Sequence, residues 1–370
     1  VKRIGFIINS RLPEWRAVKR GMKPHHLMTG WPDRSSPMHF MRYGWVAEAV
    51  NRDSVSGLRY ELFKPWRDYD AVVFLKSMEE RCADHAERLK ERGVKVIFEA
   101  NVDYYTEGGQ GLADHLRPTP TQRAKAIRMT SLADGVIASS RHLAGICSIW
   151  NPRTSWVPDH VPARMIPYSN GSIPQNDSVL HVWWSGMPDK VSDLLAAGEA
   201  LRSMGDWIHL HLVTGDLPNA VKRLGEDVEA DIGALLSSVP HTIHRFRSVR
   251  HLIGLYASSG GVILSPRFLE NPYNRSHTEW KITLGMACGL PAITSPQPSY
   301  LDVRERSADQ SAVTICASGS EWADAFETAR QAEWRERASE AARRVVRDHY
   351  LTEVVAPLHV GAANSVLSSC

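Results

Sequence analysis

The feature that most constrains this chain is a recurring unit: a short, almost uninterrupted apolar run, a polar or glycine-bearing break, and then a helix-forming stretch. Residues 4–8, 71–75, 94–98, 135–138, 179–184, 208–213, 261–264 and 312–316 have the length and continuous apolarity of strands buried on both faces of a parallel sheet. Residues 242–246 add a shorter strand. Helical patterns occupy 40–50, 78–92 with Gly93 as the stop, 123–132, 191–202, 252–258, 321–346 and 351–366. Strands and helices that alternate in this way predict doubly wound α/β architecture.

A chain of 370 residues is long enough for two such sheets, each with its own core. Composition shifts at residues 164–177, which are rich in proline, serine, asparagine and glycine and read as a linker. The expected organisation is a first α/β domain at 1–163, the linker, a second at 178–335 and closing helices at 336–370.

The chemically richest stretch is 263–300, read as strand, polar loop, helix, strand. Ser276 and Glu279 form a capping-box pattern, and Gly289 with Pro291 ends the helix, which predicts a helix over 276–289. Its positive end, with the N–H groups of Ser276, His277 and Thr278, would lie at the carboxyl end of the preceding strand, where open α/β sheets bind phosphates. A second glycine turn, Gly186 to Lys190, follows the strand at 179–184 and would set backbone N–H groups and the Lys190 ammonium against an anion. A surface turn would look the same, and Ser276 and Glu279 could serve only as a helix cap.

The run Lys281-Ile282-Thr283-Leu284-Gly285-Met286-Ala287-Cys288-Gly289-Leu290-Pro291-Ala292-Ile293 resembles the K-x-x-E-x-M-A-x-G-x-P-V-I segment of retaining glycosyltransferases of the GT-B fold, family 4 in particular. The segments G-V-I-A-S-S and Val157-Pro158-Asp159-His160-Val161 resemble the end of that family's N-terminal domain. The resemblance implies two Rossmann-like domains facing a cleft, the first on the acceptor side and the second holding a nucleotide-diphosphate sugar, with the closing helices bracing the two. It implies a hexosyltransferase of glycan or polysaccharide biosynthesis that retains anomeric configuration and requires no cofactor beyond its donor substrate.

By the same resemblance, Glu270 would orient the donor sugar, Asp103 would contact the acceptor or act as general base, and Lys190, Arg267, Asn274 and Lys281 would join Gly186, Ser276, His277, Thr278 and Glu279 around the donor. Two positions depart from the pattern. Leu284 stands where the second glutamate belongs, leaving Glu279 as its substitute, and Met187 replaces an arginine, leaving Arg267 and Lys281 to supply the charge. His25 and His26, in the long loop after the first strand, fall on the acceptor side. Two other functions suit such an architecture: sugar-nucleotide 2-epimerisation and non-enzymatic two-lobed ligand binding.

A metal site is not expected. Asp68-Tyr69-Asp70 matches the D-x-D of GT-A glycosyltransferases but precedes its strand instead of following it, and His209 and His211 share a strand face without a further ligand. The net charge of +3 is too small to imply nucleic acid. The basic residues Lys2, Arg3, Arg11, Arg16, Lys19, Arg20, Lys23, Arg34 and Arg42 near the start could meet anionic lipid headgroups or an acidic acceptor, a solvated face being the plainer account. Five scattered cysteines without a C-x-x-C pair suit a reducing compartment. With no signal peptide or membrane-spanning run in view, the expected location is cytoplasmic, with peripheral membrane contact through the basic region.

Overall fold

The computed structural model of the chain describes residues 1–9, 38–53, 55–108, 117–167 and 179–368. It contains two compact units, one built from Val1–Glu107, Pro118–Pro162 and Leu351–Cys370, the other from Gly108–Arg117 and Ala163–Tyr350.

The first unit is a six-stranded sheet of β1 (Lys2–Ile8), β2 (Leu58–Leu62), β3 (Ala71–Leu75), β4 (Lys95–Ala100), β5 (Gly135–Ala138) and β6 (Thr154–Trp156), in the order β2-β1-β3-β4-β5-β6. Every neighbouring pair is parallel. The continuous apolar runs follow from burial on both faces, since alternate residues of each strand enter different cores. Ile7, Val72, Phe74, Val96, Phe98 and Val136 meet the helices Glu80–Glu91, Pro120–Leu132 and Arg141–Ser148. Ile4, Phe6, Val73, Ile97 and Ile137 pack with Val46 and Val50 of helix Trp45–Arg52 and with Val355, Ala363 and Val366 of helix Thr352–Leu367. The chain thus returns to its first unit after completing the second, and Leu351 bridges to Val161 as it does so.

The second unit holds β7 (Leu180–Ser185), β8 (Ile208–Thr214), β9 (His241–Arg245), β10 (Val262–Ser265), β11 (Ala292–Thr294) and β12 (Val313–Ile315), in the order β12-β11-β10-β7-β8-β9 and again all parallel. The strand order reverses between β7 and β10. That is the topological switch point, beyond whose carboxyl ends open α/β sheets bind ligands. Two glycines make the local packing possible. Gly261 enters β10 at φ +98°, with the His181 carbonyl where a Cβ would lie, and Gly285 lets helix Trp280–Ala287 press directly on the Ile263 side chain.

Four helical expectations need correction. The 40–50 pattern is a turn of π-helix, Met38–Gly44, that runs into helix Trp45–Arg52. The 191–202 pattern is a tight 3₁₀ segment, Pro188–Ala197, followed by helix Gly198–Ser203. Lys190, Val191, Ser192, Asp193 and Leu194 are all buried within it, so tertiary packing rather than amphipathic spacing sets its winding. The long helix at 321–346 divides into Gly319–Arg330 and Ala332–His349 at an extended Gln331, where buried Arg335 donates Nη1 hydrogen bonds to the carbonyls of Ala329 and Arg330.

The fourth correction bears on the site. No capping box forms at Ser276 and Glu279: a short turn, Pro272–Arg275, intervenes and the helix begins at Trp280. The Ser276 hydroxyl donates to the Tyr273 carbonyl, while the N–H groups of Ser276 and His277 are taken by the carbonyls of Pro272 and Asn274. A proline turn anchored by Asn271, whose side chain accepts from the Tyr273 N–H, wins over the local capping signal.

Candidate anion-binding site

At the switch point of the second sheet, the loops after β7 and β10 bring several basic groups together. Lys190, carried on the Pro188–Ala197 segment, donates to His277 Nε2 at 2.7 Å, and its Nζ lies 4.3 Å from the centre of the Tyr273 ring. His277 meets that ring edge-on at 4.6 Å. The His277 carbonyl in turn accepts from Gln297 Nε2 at 2.6 Å and Ser299 Oγ at 2.8 Å, so the loop bearing His277 is tied to the segment after β11. Accepting at Nε2 fixes the neutral His277 tautomer with its proton on Nδ1.

The Lys281 ammonium lies against Gly186, where an added Cβ would come within 2.9 Å of Nζ, and 5.2 Å from the centre of the Trp184 ring. A side chain at position 186 would displace the Lys281 ammonium or the Trp184 ring, so the glycine leaves room for both. The Gly186 N–H bonds to the Val213 carbonyl and its own carbonyl accepts from Thr214 Oγ1, so the turn is locked to β8. That N–H is consequently spent within the sheet, and positive side chains rather than backbone donors characterise the site.

Arg267 and Asn274 are brought to the same loops but engaged differently. Arg267 is 4 % exposed; its Nη1 donates to Asp193 Oδ2 at 3.0 Å and approaches Asn274 Oδ1 at 3.5 Å, while Asn274 Nδ2 donates to Asp193 Oδ1 at 3.2 Å and to the Phe268 carbonyl. Burial opposes the Arg267 charge, but Tyr300 and Asp193 more than offset it and raise its pKa above the ordinary arginine value. Asp193 is thus the hub of a buried triad. Sequence reasoning passed over it, although its place three residues after Lys190, one turn of a 3₁₀ segment, was a signal. Tyr273, Trp184 and Gln297 were passed over as well.

Of the other expected residues, Glu270 is exposed in the loop after β10, Thr278 is partly buried just before helix Trp280–Ala287, and Glu279 is buried at its first turn. Leu284 belongs wholly to the core. In the first unit, Asp103 is 1 % exposed and its Oδ1 accepts the N–H groups of Tyr105 and Thr106, the geometry of a turn residue. His25, His26 and the basic residues from Arg11 to Arg34 lie outside the described residues. Arg42 is withdrawn from any basic surface by ion pairs with Glu99 and Asp159.

Elsewhere in the second unit, imidazoles cross three strands: His181 Nδ1 meets His211 Nε2 at 2.9 Å, and His211 Nδ1 meets His244 Nε2 at 3.0 Å, with Trp183 stacked on His211 at 4.0 Å. His209 bonds instead to the Thr242 hydroxyl. Among the described residues, no group of three or more His, Cys, Asp or Glu side chains is arranged to hold a metal ion. Burial, reinforced by His209, His181 and His244, pushes the His211 pKa down to about 3. The pKa values of His181, His209 and His244 are lowered too, burial being the first cause in each. Unfolding restores a value near 6.5, so the unfolded chain binds more protons below that pH. Stability is therefore expected to decline from about pH 6.5 toward pH 4, and His211→Phe, which keeps the stack on Trp183, to make that decline shallower in urea titrations at each pH.

No protein-family model matches the chain, and no curated protein matches its sequence. Among solved structures, Anabaena Alr3699/HepE in complex with UDP-glucose is similar over 99 % of this chain and 100 % of its own, with a TM-score of 0.65 at 12 % identity. AviGT4, a glycosyltransferase involved in avilamycin A biosynthesis, is similar over 100 % and 99 %, with a TM-score of 0.60 at 10 % identity. A glycosyltransferase from Rickettsia africae ESF-5 is similar over 87 % and 88 %, with a TM-score of 0.58 at 12 % identity. At these identities the likeness shows the fold: two α/β domains, each with a parallel Rossmann-like sheet, as in GT-B glycosyltransferases. No helix among the described residues is long and apolar enough to cross a membrane.

Proposed function

We propose that the chain is a glycosyltransferase that moves a hexosyl group from a nucleotide-diphosphate sugar, held by its second unit, to an acceptor in glycan or glycoconjugate biosynthesis. The observation that carries this reading is the placement of Lys190, His277 and Lys281 at the switch point of the second sheet. The Anabaena structure of the same fold, determined with UDP-glucose, adds support.

The chemistry needs stabilisation of negative charge as the nucleoside diphosphate departs. Fixed cations answer that need when they are in place before the reaction, because no reorganisation is then required. Lys190 is fixed by His277 and Tyr273, and Lys281 by the walls of Gly186 and Trp184. These two supply positive charge of the kind a divalent ion provides in other diphosphate sites. Glu270, exposed after β10, is the carboxylate proposed to orient the sugar hydroxyls, and Thr278 and Glu279 border the same loop. Transfer with retention of configuration follows the resemblance of the Lys281 segment.

Calorimetry with nucleoside diphosphates and their sugars tests the reading. Lys190→Ala is expected to weaken diphosphate binding about 10- to 100-fold, the worth of one hydrogen bond to a charged group. Affinity unchanged by that substitution, or the absence of binding by any nucleoside diphosphate to the unaltered protein, would refute it.

A further inference from the structure

The first sheet has a switch point of its own. Its order β2-β1-β3-β4-β5-β6 reverses between β1 and β3, and the carboxyl ends of those strands are where an open α/β sheet receives a ligand. Asn9, after β1, and Lys76, after β3, both have left-handed backbones there, at φ +51° and +49°. Asparagine adopts that conformation readily, whereas lysine does so at a cost, and glycine or asparagine would serve the turn better. The bend is firmly held. The Lys76 N–H donates to the Glu99 carbonyl at 2.9 Å, the Asn9 N–H to the Leu75 carbonyl at 3.0 Å, and the buried Ser77 hydroxyl is shared between the carbonyls of Ile7 and Leu75.

The lysine kept in this turn is partly buried, and among the described residues its ammonium has neither an ion pair nor a hydrogen bond. The adjoining strand β4 pairs with β3 up to Leu75 and Glu99, ends at Ala100 and is followed by Asn101. Asn101 is 6 % exposed, yet neither its Oδ1 nor its Nδ2 has a partner. One strand further along, Ser139 donates its N–H to the Ala100 carbonyl, and its hydroxyl is buried without a partner too. Polar side chains withdrawn from water and left unbonded destabilise the fold that carries them, so folding alone gives no reason for them. The carboxylates nearby are committed elsewhere: Glu99 and Asp159 pair with Arg42, and Asp103 Oδ1 accepts from the N–H groups of Tyr105 and Thr106.

We propose that this edge of the first unit binds a hydroxylated ligand bearing an oxyanion, a phosphate ester or a carboxylate. Lys76 Nζ pairs with the anionic oxygen, and the Asn101 amide, which can both donate and accept, takes a neighbouring hydroxyl. The ligand supplies the counter-ion and the hydrogen bonds that the folded chain withholds from these two side chains. On the transferase reading given above, the ligand is the acceptor, and its class is an anionic sugar or a sugar phosphate. The binding itself does not depend on that reading, since every residue involved belongs to the first unit.

The test is calorimetry with glucose 6-phosphate, glucuronate and glucose, in the presence of excess UDP so that the cations of the second unit are occupied. The unaltered protein is expected to bind glucose 6-phosphate or glucuronate at least about 10-fold more tightly than glucose, and the preferred one of the two tells phosphate from carboxylate. Lys76→Gly removes the cation and suits the left-handed turn, so it should unfold at no lower a temperature than the unaltered protein. It should nevertheless bind the preferred anion about 10- to 100-fold more weakly, the worth of one hydrogen bond to a charged group. Lys76→Arg should keep most of the affinity. Failure of both anions to bind, glucose bound as tightly as either, or affinity unchanged in Lys76→Gly would overturn the proposal. UDP should bind the Lys76 variants as it binds the unaltered protein. Absence of UDP binding throughout would refute the diphosphate reading alone, and the comparison of Lys76→Gly with the unaltered protein would still decide this one.

Discussion

Replacing Arg42 with leucine is expected to destabilise the protein by about 3–5 kcal/mol, the cost of leaving a buried charge without its partner. Arg42 is 1 % exposed and holds two carboxylates, Glu99 through Nε at 2.6 Å and Asp159 through Nη1 at 3.0 Å. The same Nη1 donates to the carbonyls of Val157 and Pro158 just past β6. Burial works against ionisation of Glu99, but Arg42 and His359 outweigh it and hold its pKa below the ordinary value. In the unaltered protein that contribution is present above the unfolded pKa near 4.5 and is lost as the pH falls through the lower folded value. In Arg42→Leu, burial, the largest influence on Glu99, is opposed by His359 alone, so the Glu99 pKa moves up and lowering the pH from 7 to 5 should recover part of the loss. Equilibrium unfolding in urea at the two pH values measures both effects. A loss below about 1 kcal/mol at pH 7 would show that the network is dispensable, and Arg42→Leu with Glu99→Gln should be less damaged than Arg42→Leu alone.

Arg267→Met is expected to act on stability by a similar amount, about 3–5 kcal/mol, because it removes the ion-pair partner of Asp193 in the interior of the second unit and leaves the Asn274 amide as its hydrogen-bond donor. Sequence resemblance put Arg267 among the donor contacts, whereas the structure engages its Nη1 with Asp193 and buries the side chain almost completely. The contrast with Lys190 separates the two roles. Thermal unfolding of Arg267→Met should shift strongly downward with no nucleotide present, and saturating diphosphate should not restore it. Lys190→Ala should unfold close to the unaltered protein and differ chiefly in how little a diphosphate protects it. Equal unfolding temperatures for Arg267→Met and the unaltered protein would show that the pair with Asp193 adds nothing to stability.

How far the sequence could be read depended on the range of the interactions involved. Strands such as 71–75 and 135–138 were legible to the residue, because burial on both faces makes every position apolar. β2 was not, since Leu58–Leu62 carries Arg59 and Glu61 on an edge strand, and neither was β6, whose three residues are all only partly buried. In the site, Gly186, Lys190 and Lys281 stood out because a glycine turn and a lysine after a strand are local signals. The bond between Lys190 and His277 spans 87 residues and the pair of Arg267 with Asp193 spans 74, so neither could be seen without the sheet that aligns β7 with β10. The false helix start at Ser276 is the reverse case: a sound local signal overruled by Pro272 and by the ties of His277 to Gln297 and Ser299.

The helix Thr352–Leu367 completes a core begun at β1, with Val355, Ala363 and Val366 lying among Ile4, Phe6 and Val73. His359 and Thr352 add polar ties to Tyr60 and His160. During synthesis the second unit is therefore available in full before the first can close. The sheet that emerges first from the ribosome must wait, with that face covered only in part by helix Trp45–Arg52, for residues made after Leu351, and its apolar strands are exposed to misassembly or chaperones throughout that interval. The order in which the units can be completed is thus the reverse of the order in which they begin.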